Sequence, residues 1–268
     1  MKFSPVLLAI AALSAAAAAT AEEIPNHPAL RDRYYVGAGV YYPQTTTSAS
    51  LSSTRTGAGT TFDFEDALGM ERAKTVPVFF GRVRLGERWR IEGEYFQLNR
   101  NGDRQIDREI QWGDKTYTVN SQLQSSFKFS DLRLSAGYSF FKTPDKELGV
   151  AVGVHVASYK VSLNTANVGS ENENVTAPLP VLSAYGQFAL TEHWAVSGRF
   201  DRFSLNYDKY NGNVTGVGLD LLYQPFKHVG FGLGMRNLFL QLTATDDNKT
   251  AKFRQAFQGP VLFMNVSF

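Results

Sequence analysis

The chain contains no cysteine. That absence excludes a disulfide scaffold, a thiolate metal site and a cysteine nucleophile. Charge of one sign is missing too: 27 Lys and Arg against 25 Asp and Glu leave a formal net charge of +2. So small an excess gives no reason to expect nucleic acid or any bulk electrostatic partner. Beyond the first 19 residues no apolar run approaches the roughly 18 residues of a spanning helix, which argues against a helical integral membrane protein. Histidine is sparse, at His27, His155, His193 and His228.

What is present begins at the N-terminus. Lys2 supplies a positive start, Val6 to Ala19 is apolar except for Ser14, and Ala19-Thr20-Ala21 is a small-x-small cleavage site. The run is short for a bilayer anchor and is followed by acidic, turn-rich sequence, so residues 1–21 read as a signal peptide cleaved before Glu22. Residues 22–268 show no linker, low-complexity segment or change of texture, and read as one domain.

The period of that domain is two. Leu148, Val150, Val152, Val154 and Val156 share one face, with Gly149, Ala151, Gly153 and His155 on the other. Val217, Leu219, Leu221 and Tyr223 alternate around Asp220, and Val229, Phe231, Leu233 and Met235 alternate with Gly230, Gly232, Gly234 and Arg236. One face is apolar with aromatics at the strand ends, and the other carries charges interleaved with glycine. With 12 Tyr and 20 Phe at a mean hydropathy of −0.22, this pattern suits a barrel that is apolar outside and polar inside. A soluble sandwich would place the apolar face inward and leave the opposite face without that mixture.

Ten candidate strands follow, at 33–44, 74–85, 88–100, 125–141, 147–162, 179–190, 193–207, 212–224, 228–243 and 251–268. The predicted fold is therefore all-β: an antiparallel up-and-down transmembrane barrel of about 10 strands, within a range of 8 to 12. An even count places both termini on one side. It makes Gly86-Glu87, Thr143–Lys146, Thr191-Glu192 and Pro225–Lys227 short turns there, and 45–73, 101–124, 163–178 and 244–250 loops on the other side. A further hairpin around Trp112-Gly113-Asp114-Lys115 would extend the wall or raise the count to twelve. Leu85-x-Glu-x-Trp89-x-Ile-x-Gly-x-Tyr95 repeats as Leu190-x-Glu-x-Trp194-x-Val-x-Gly-x-Phe200. Each Trp opens the strand after a short turn, where an amphipathic ring suits the bilayer interface. Trp89, Trp194 and Phe268 are the candidate interface aromatics, with Tyr34 and Tyr42 beside them.

The last segment, Val261 to Phe268, alternates and ends on an aromatic. It resembles the closing strand of bacterial outer-membrane β-barrels, which in that family is read by the barrel-insertion machinery. Leu85 to Tyr95 and Leu221 to Gly234 resemble outer-membrane hairpins common in proteobacteria, and Thr61 to Gly69 resembles an acidic first-loop motif of uncharacterised members. The resemblance covers nearly the whole chain after residue 21, and its motifs specify a barrel and not an activity. It implies export through the periplasm to a Gram-negative outer membrane. It also implies contact with outer-membrane lipid and lipopolysaccharide, recognition by the insertion machinery through the C-terminal strand, and a monomer.

Taking apolar positions as outward, the lumen charges are Arg82, Arg84, Arg90, Glu92, Glu94, Asp131, Arg133, Arg199, Asp201, Asp220 and Arg236. In a narrow barrel these would pair and fill the interior; the alternative is a narrow small-solute or ion pore. An enzyme of the lipid A deacylase or omptin kind needs histidine near a carboxylate or serine. Here only His155 is a lumen candidate, with Ser135 or Ser197 recruited from another strand. Asp63, Glu65, Asp66 and Glu71 form either a solvated acidic loop or a divalent-cation site, and their spacing matches no EF-hand. The expectation is a non-enzymatic barrel with a structural or surface-interaction role and a salt-bridged lumen. It has no catalytic residue, no cofactor, no metal and no nucleic-acid partner.

Overall fold

The structure, a computed structural model, describes residues 26–54, 57, 59–112, 115–165, 169–207 and 210–268. A short helix α1 (Pro28–Arg31) precedes β1 (Tyr34–Tyr41), β2 (Gln44–Ser53), β3 (Phe62–Asp63) and helix α2 (Phe64–Leu68). Then come β4 (Val76–Leu85), β5 (Trp89–Gln105), the small hairpin β6 (Ile110–Trp112) and β7 (Lys115–Tyr117), and β8 (Gln122–Lys142). The chain continues through β9 (Lys146–Thr165), β10 (Gly169–Ala189), β11 (Trp194–Tyr207), β12 (Tyr210–Tyr223), β13 (Val229–Thr245) and β14 (Lys249–Ser267).

Strands β1, β4, β5 and β8 to β14 pair antiparallel in sequence, and β1 closes on β14 from Tyr35↔Ser267 to Tyr41↔Val261. The result is a ring of ten strands. β2 continues β1 up the same flank of β14, pairing from Gln44↔Gln258 to Ser53↔Lys249. Pro43, which has no N–H to give a ladder, stands at the break between them. Closure removes every free edge within the membrane, as hydrocarbon requires.

Each long strand passes through two environments. On β8 the outward residues Leu132, Leu134, Tyr138 and Phe140 are exposed, while inward Asp131, Arg133, Ser135 and Ser139 are buried. Toward the strand's start the polarity reverses: Phe127 and Phe129 point in and are buried, and Lys128 and Gln124 point out. β14 reverses in the same way, with Leu262, Met264 and Val266 outward in one half and Phe253 and Phe257 inward in the other. The first half is built for lipid outside, the second for water outside. A strand of 21 residues at about 3.3 Å each runs roughly 69 Å, or about 50 Å along a barrel axis tilted near 40°, about twice the roughly 25 Å apolar band of an outer-membrane barrel.

Several sequence expectations change here. Residues 45–73 are not one loop, because 44–53 is strand; 163–165 and 169–178 belong to β9 and β10, and 244–250 shrinks to the tight connection between β13 and β14. These segments lack an apolar outward face because they stand in water, so an alternation rule tuned to lipid passes over them. The 110–117 hairpin adds nothing to the ring. It forms a separate two-stranded sheet with Ile110, Trp112 and Tyr117 buried; Gly113 and Asp114 of its turn lie outside the described residues. The interior is not polar throughout, since its far half holds an aromatic core. Residues 1–21 lie outside the described residues.

At the near end Gly86 turns the chain at φ 70°, a conformation that favours glycine. A bulge in β8 between Tyr138 and Phe141 leaves both Phe140 and Phe141 outward and exposed. Trp89 lies 5.0 Å from Tyr138, Trp194 stacks on Tyr223 at 4.5 Å, and Phe268 lies 5.8 Å from Tyr34. These exposed rings form a girdle at the end where both termini meet, with Tyr34 N–H donating to Phe268 O and Phe268 N–H to Tyr34 O.

Candidate functional site

The period-two register places all eleven lumen charges on the inner wall. Arg82, Arg84, Arg90, Asp131, Arg133 and Asp201 are buried, and Glu92, Glu94, Arg199, Asp220 and Arg236 are half-buried. A twelfth belongs with them. Glu147 is fully buried and accepts from Arg84 Nη1 at 2.8 Å and Arg84 Nη2 at 2.6 Å, with Arg90 at 3.6 Å. Its signal was legible, because Leu148 opens an outward series and Glu147 is the inward residue before it.

With Glu147 the set holds six arginines (82, 84, 90, 133, 199, 236) and six carboxylates (92, 94, 131, 147, 201, 220). Glu92 is the hub: Arg199 lies at 2.6 Å, Arg90 at 3.3 Å and Arg133 at 3.9 Å. Arg236 joins Asp220 at 2.6 Å and Glu94 at 3.8 Å, Arg199 also meets Asp201 at 2.8 Å, and Arg133 reaches Glu94 at 3.8 Å. Opposite charges on neighbouring strands offset one another's desolvation, a cost that a buried charge otherwise meets only through neutral hydrogen-bond acceptors. Tyr185 lies across Gly149, where any β-carbon would overlap its ring, and Arg90 stacks over the ring at 3.1 Å from its centroid. Glycine in β9 therefore makes room for an aromatic that braces the network.

Among the described residues, side chains pack across both ends of this polar zone. At the near end α1 sits in the mouth: Ala29 and Leu30 are buried, and Ala29 O accepts from Arg82 Nη2 and from Arg84 Nη2. Arg82 has no carboxylate partner among the described residues. It satisfies this carbonyl and Gln187 Oε1 at 3.0 Å, and lies over Tyr35. His27 caps α1 by accepting from Ala29 N–H at 3.1 Å, and burial pushes its imidazole below the usual histidine range. At the far end Tyr41, Phe96, Phe129, Phe257, Tyr159 and Phe253 form a chain of ring contacts with centroids 4.8 to 5.8 Å apart. Above them Phe64 meets Phe127 at 5.0 Å, and Phe62 meets Phe64 and Trp112, each at 5.6 Å.

The acidic segment takes part in this lid. Glu65 is buried and pairs with Arg100 at 2.5 Å, its second oxygen accepts from Thr47 N–H at 3.0 Å, and Arg100 also donates to Thr47 Oγ1 at 2.5 Å. Asp66 instead meets Arg72 at 2.6 Å on the surface. Neither the solvated loop nor the cation site describes Glu65, and among the described residues no group of three or more His, Asp or Glu could hold a metal ion. Arg100 went unnoticed in the sequence because its partner lies 35 positions away in a different element.

Between plug and lid lies a cavity of about 140 Å³, whose lining includes Tyr41, Asp131, Arg133 and His155. His155 Nδ1 and Asp131 Oδ2 are 2.8 Å apart, both residues buried. The pair orients the imidazole, but Nε2 has no hydrogen-bond partner among the described residues. Ser135 faces Gly153 in register, and Ser197 donates to Asp220 at 3.4 Å. Among the described residues no serine hydrogen-bonds the imidazole, as a nucleophile-base pair within about 3.2 Å would require.

The outer membrane protein beta-barrel domain family matches residues 6–224. The chain belongs to that family. This outer-membrane barrel protein lies in the bacterial outer membrane. Among solved structures, the outer membrane protease OmpT of Escherichia coli is 10% identical, with 87% of this chain and 97% of that chain covered at a TM-score of 0.54. OprG from Pseudomonas aeruginosa is 10% identical over 92% and 99% at 0.42, and Ail of Yersinia pestis 10% over 86% and 99% at 0.37. The OmpT likeness is one of fold. No curated protein matches the sequence.

Proposed function

We propose that this outer-membrane barrel is non-enzymatic and non-conducting, and that it acts through the surface it raises above the membrane. The observation that carries this reading is the packing of side chains across both ends of the lumen. A balanced set of six arginines and six carboxylates is roofed by stacked rings and floored by α1. A pore needs a continuous water path, and both ends here are filled with side chains. A hydrolase needs a nucleophile that substrate can reach, and His155 is enclosed without one. The strands invest about half their length in a polar-faced wall beyond the lipid, which suits contact with other molecules.

The rest of the reading follows from the same features. Residues 1–21 act as the cleaved export signal and 22–268 as the barrel domain. β14, paired along both flanks, presents the C-terminal strand to the insertion machinery, and outer-membrane lipid and lipopolysaccharide surround the exposed apolar belt. A closed ring with no free edge favours a monomer. The test is planar-bilayer recording of the refolded protein, with folding verified by heat-modifiable gel mobility. The expected result is a silent membrane; stable, repeatable conductance steps from the folded protein would overturn the reading in favour of a pore.

A further inference from the structure

Across four neighbouring strands the outer face is ordered in rows. Register aligns Tyr95 (β5), Leu132 (β8), Val156 (β9) and Pro178 (β10) as the last apolar row. One outward step beyond is a row of short polar side chains, Gln97, Ser130, Ser158 and Thr176, in which Ser158 and Thr176 are hydrogen-bonded at 2.8 Å. One more step gives Asn99, Lys128, Lys160 and Asn174, with Lys128 directly opposite Lys160 in register and both exposed. Like charges directly opposite on neighbouring strands are about 5 Å apart at Cβ and destabilise the sheet. Neither lysine has a carboxylate within ion-pair distance among the described residues. Moving up these strands, the first outward carboxylate is Asp103, four residues beyond Asn99 and about 13 Å along the strand. A third cation, Lys74, stands on the far side of Asn99 and donates to its carbonyl at 2.8 Å.

The geometry points to a binding site for a phosphorylated glycolipid of the outer leaflet, with Lys128 and Lys160 clamping a phosphate, the hydroxyl row meeting its sugar and the apolar row its acyl chains. The order of the rows repeats the order of such a molecule from headgroup to hydrocarbon. Two facing cations with no acid between them are unfavourable alone and complementary to a group that carries more than one negative charge. Lys74, about three strand spacings from Lys160 or roughly 14 Å, is placed for a second phosphate at the other end of a disaccharide. The inference uses the outer-membrane location and the side on which the termini lie. It does not depend on whether the lumen conducts.

The test is native mass spectrometry of the refolded protein with diphosphoryl lipid A, its dephosphorylated form and phosphatidylglycerol as separate probes. K128Q/K160Q should lower the affinity for diphosphoryl lipid A about thirtyfold, two basic residues each contributing what one contributes near an anionic lipid surface. K128R/K160R should retain it, and K252Q/R254Q, which neutralises two cations on the outer face of β14, should leave it unchanged. Gel mobility verifies that each variant is folded. Equal binding of the dephosphorylated lipid, equal binding of phosphatidylglycerol, no loss in K128Q/K160Q, or an equal loss in K252Q/R254Q would each overturn the proposal.

Discussion

Glu147→Gln is the perturbation with the most to teach. The wild-type carboxylate is fully buried and holds Arg84 through two hydrogen bonds at 2.8 and 2.6 Å, with Arg90 at 3.6 Å. Removing its charge leaves the six arginines facing five carboxylates. Arg90 still has Glu92 at 3.3 Å. Arg84 keeps only neutral acceptors: Ala29 O at 3.2 Å, Gln187 Oε1 at 3.4 Å and the amide oxygen that replaces one carboxylate oxygen. Breaking a buried pair on one side costs about 3–5 kcal/mol, and the partners that remain place this case near the lower end, at about 3 kcal/mol. With a guanidinium slope of about 4 kcal/mol per M, the unfolding midpoint in vesicles falls by about 0.75 M, read by tryptophan fluorescence and gel mobility. Arg84→Gln combined with Glu147→Gln restores the balance and should recover at least half of the loss, a non-additive result typical of a shared network. A single variant within about 0.3 M of wild type, or a double variant as unstable as the sum of the singles, would show that charge balance does not govern this lumen.

Phe129→Ala removes a ring that contacts Phe96, Phe257 and Tyr159; a loss of about 3–5 kcal/mol is expected, and a change below 1 kcal/mol in the same unfolding assay would mean that the roof is loosely packed. Arg100→Ala leaves Glu65 buried without its cation, so proteolysis within residues 59–75 should accelerate at least tenfold while the membrane-embedded strands stay protected; unchanged cleavage would contradict the latch. Because burial lowers the His27 pKa, the unfolded or undocked form binds more protons below pH 6.5. His27 therefore stabilises the docked α1 fully above pH 6.5, and that contribution is lost as pH falls through the lower folded pKa. Protease access to residues 26–33 should rise between pH 7.5 and 5 in wild type and stay flat in His27→Asn, which keeps a capping side chain; identical profiles would remove His27 as the cause.

Much of this was readable without coordinates, and for a local reason. Period-two alternation is a property of neighbouring residues. It therefore delivered the ten strands, the near-end turns, the outward belt of Val150, Val152, Leu219 and Leu233, and the Trp89 and Trp194 repeat, and it assigned the eleven charges to a common face. Glu147 was within its reach and was passed over because it sits at a strand's first turn. The upper half of β10 and the whole of β2 were lost for a physical reason: there the wall meets water, the outward face becomes polar, and Ser170, Asn172 and Asn174 look like a loop.

What the sequence determined by itself is the barrel, its two faces and its place in a membrane, because each rests on alternation along a single strand. Tertiary structure alone decided which charges pair, that Glu65 turns inward to Arg100, that α1 floors the lumen, and that Lys128 stands opposite Lys160. Those facts depend on register between strands and on which distant segment fills the interior. Closure of the ring sets both, and no stretch of sequence carries either.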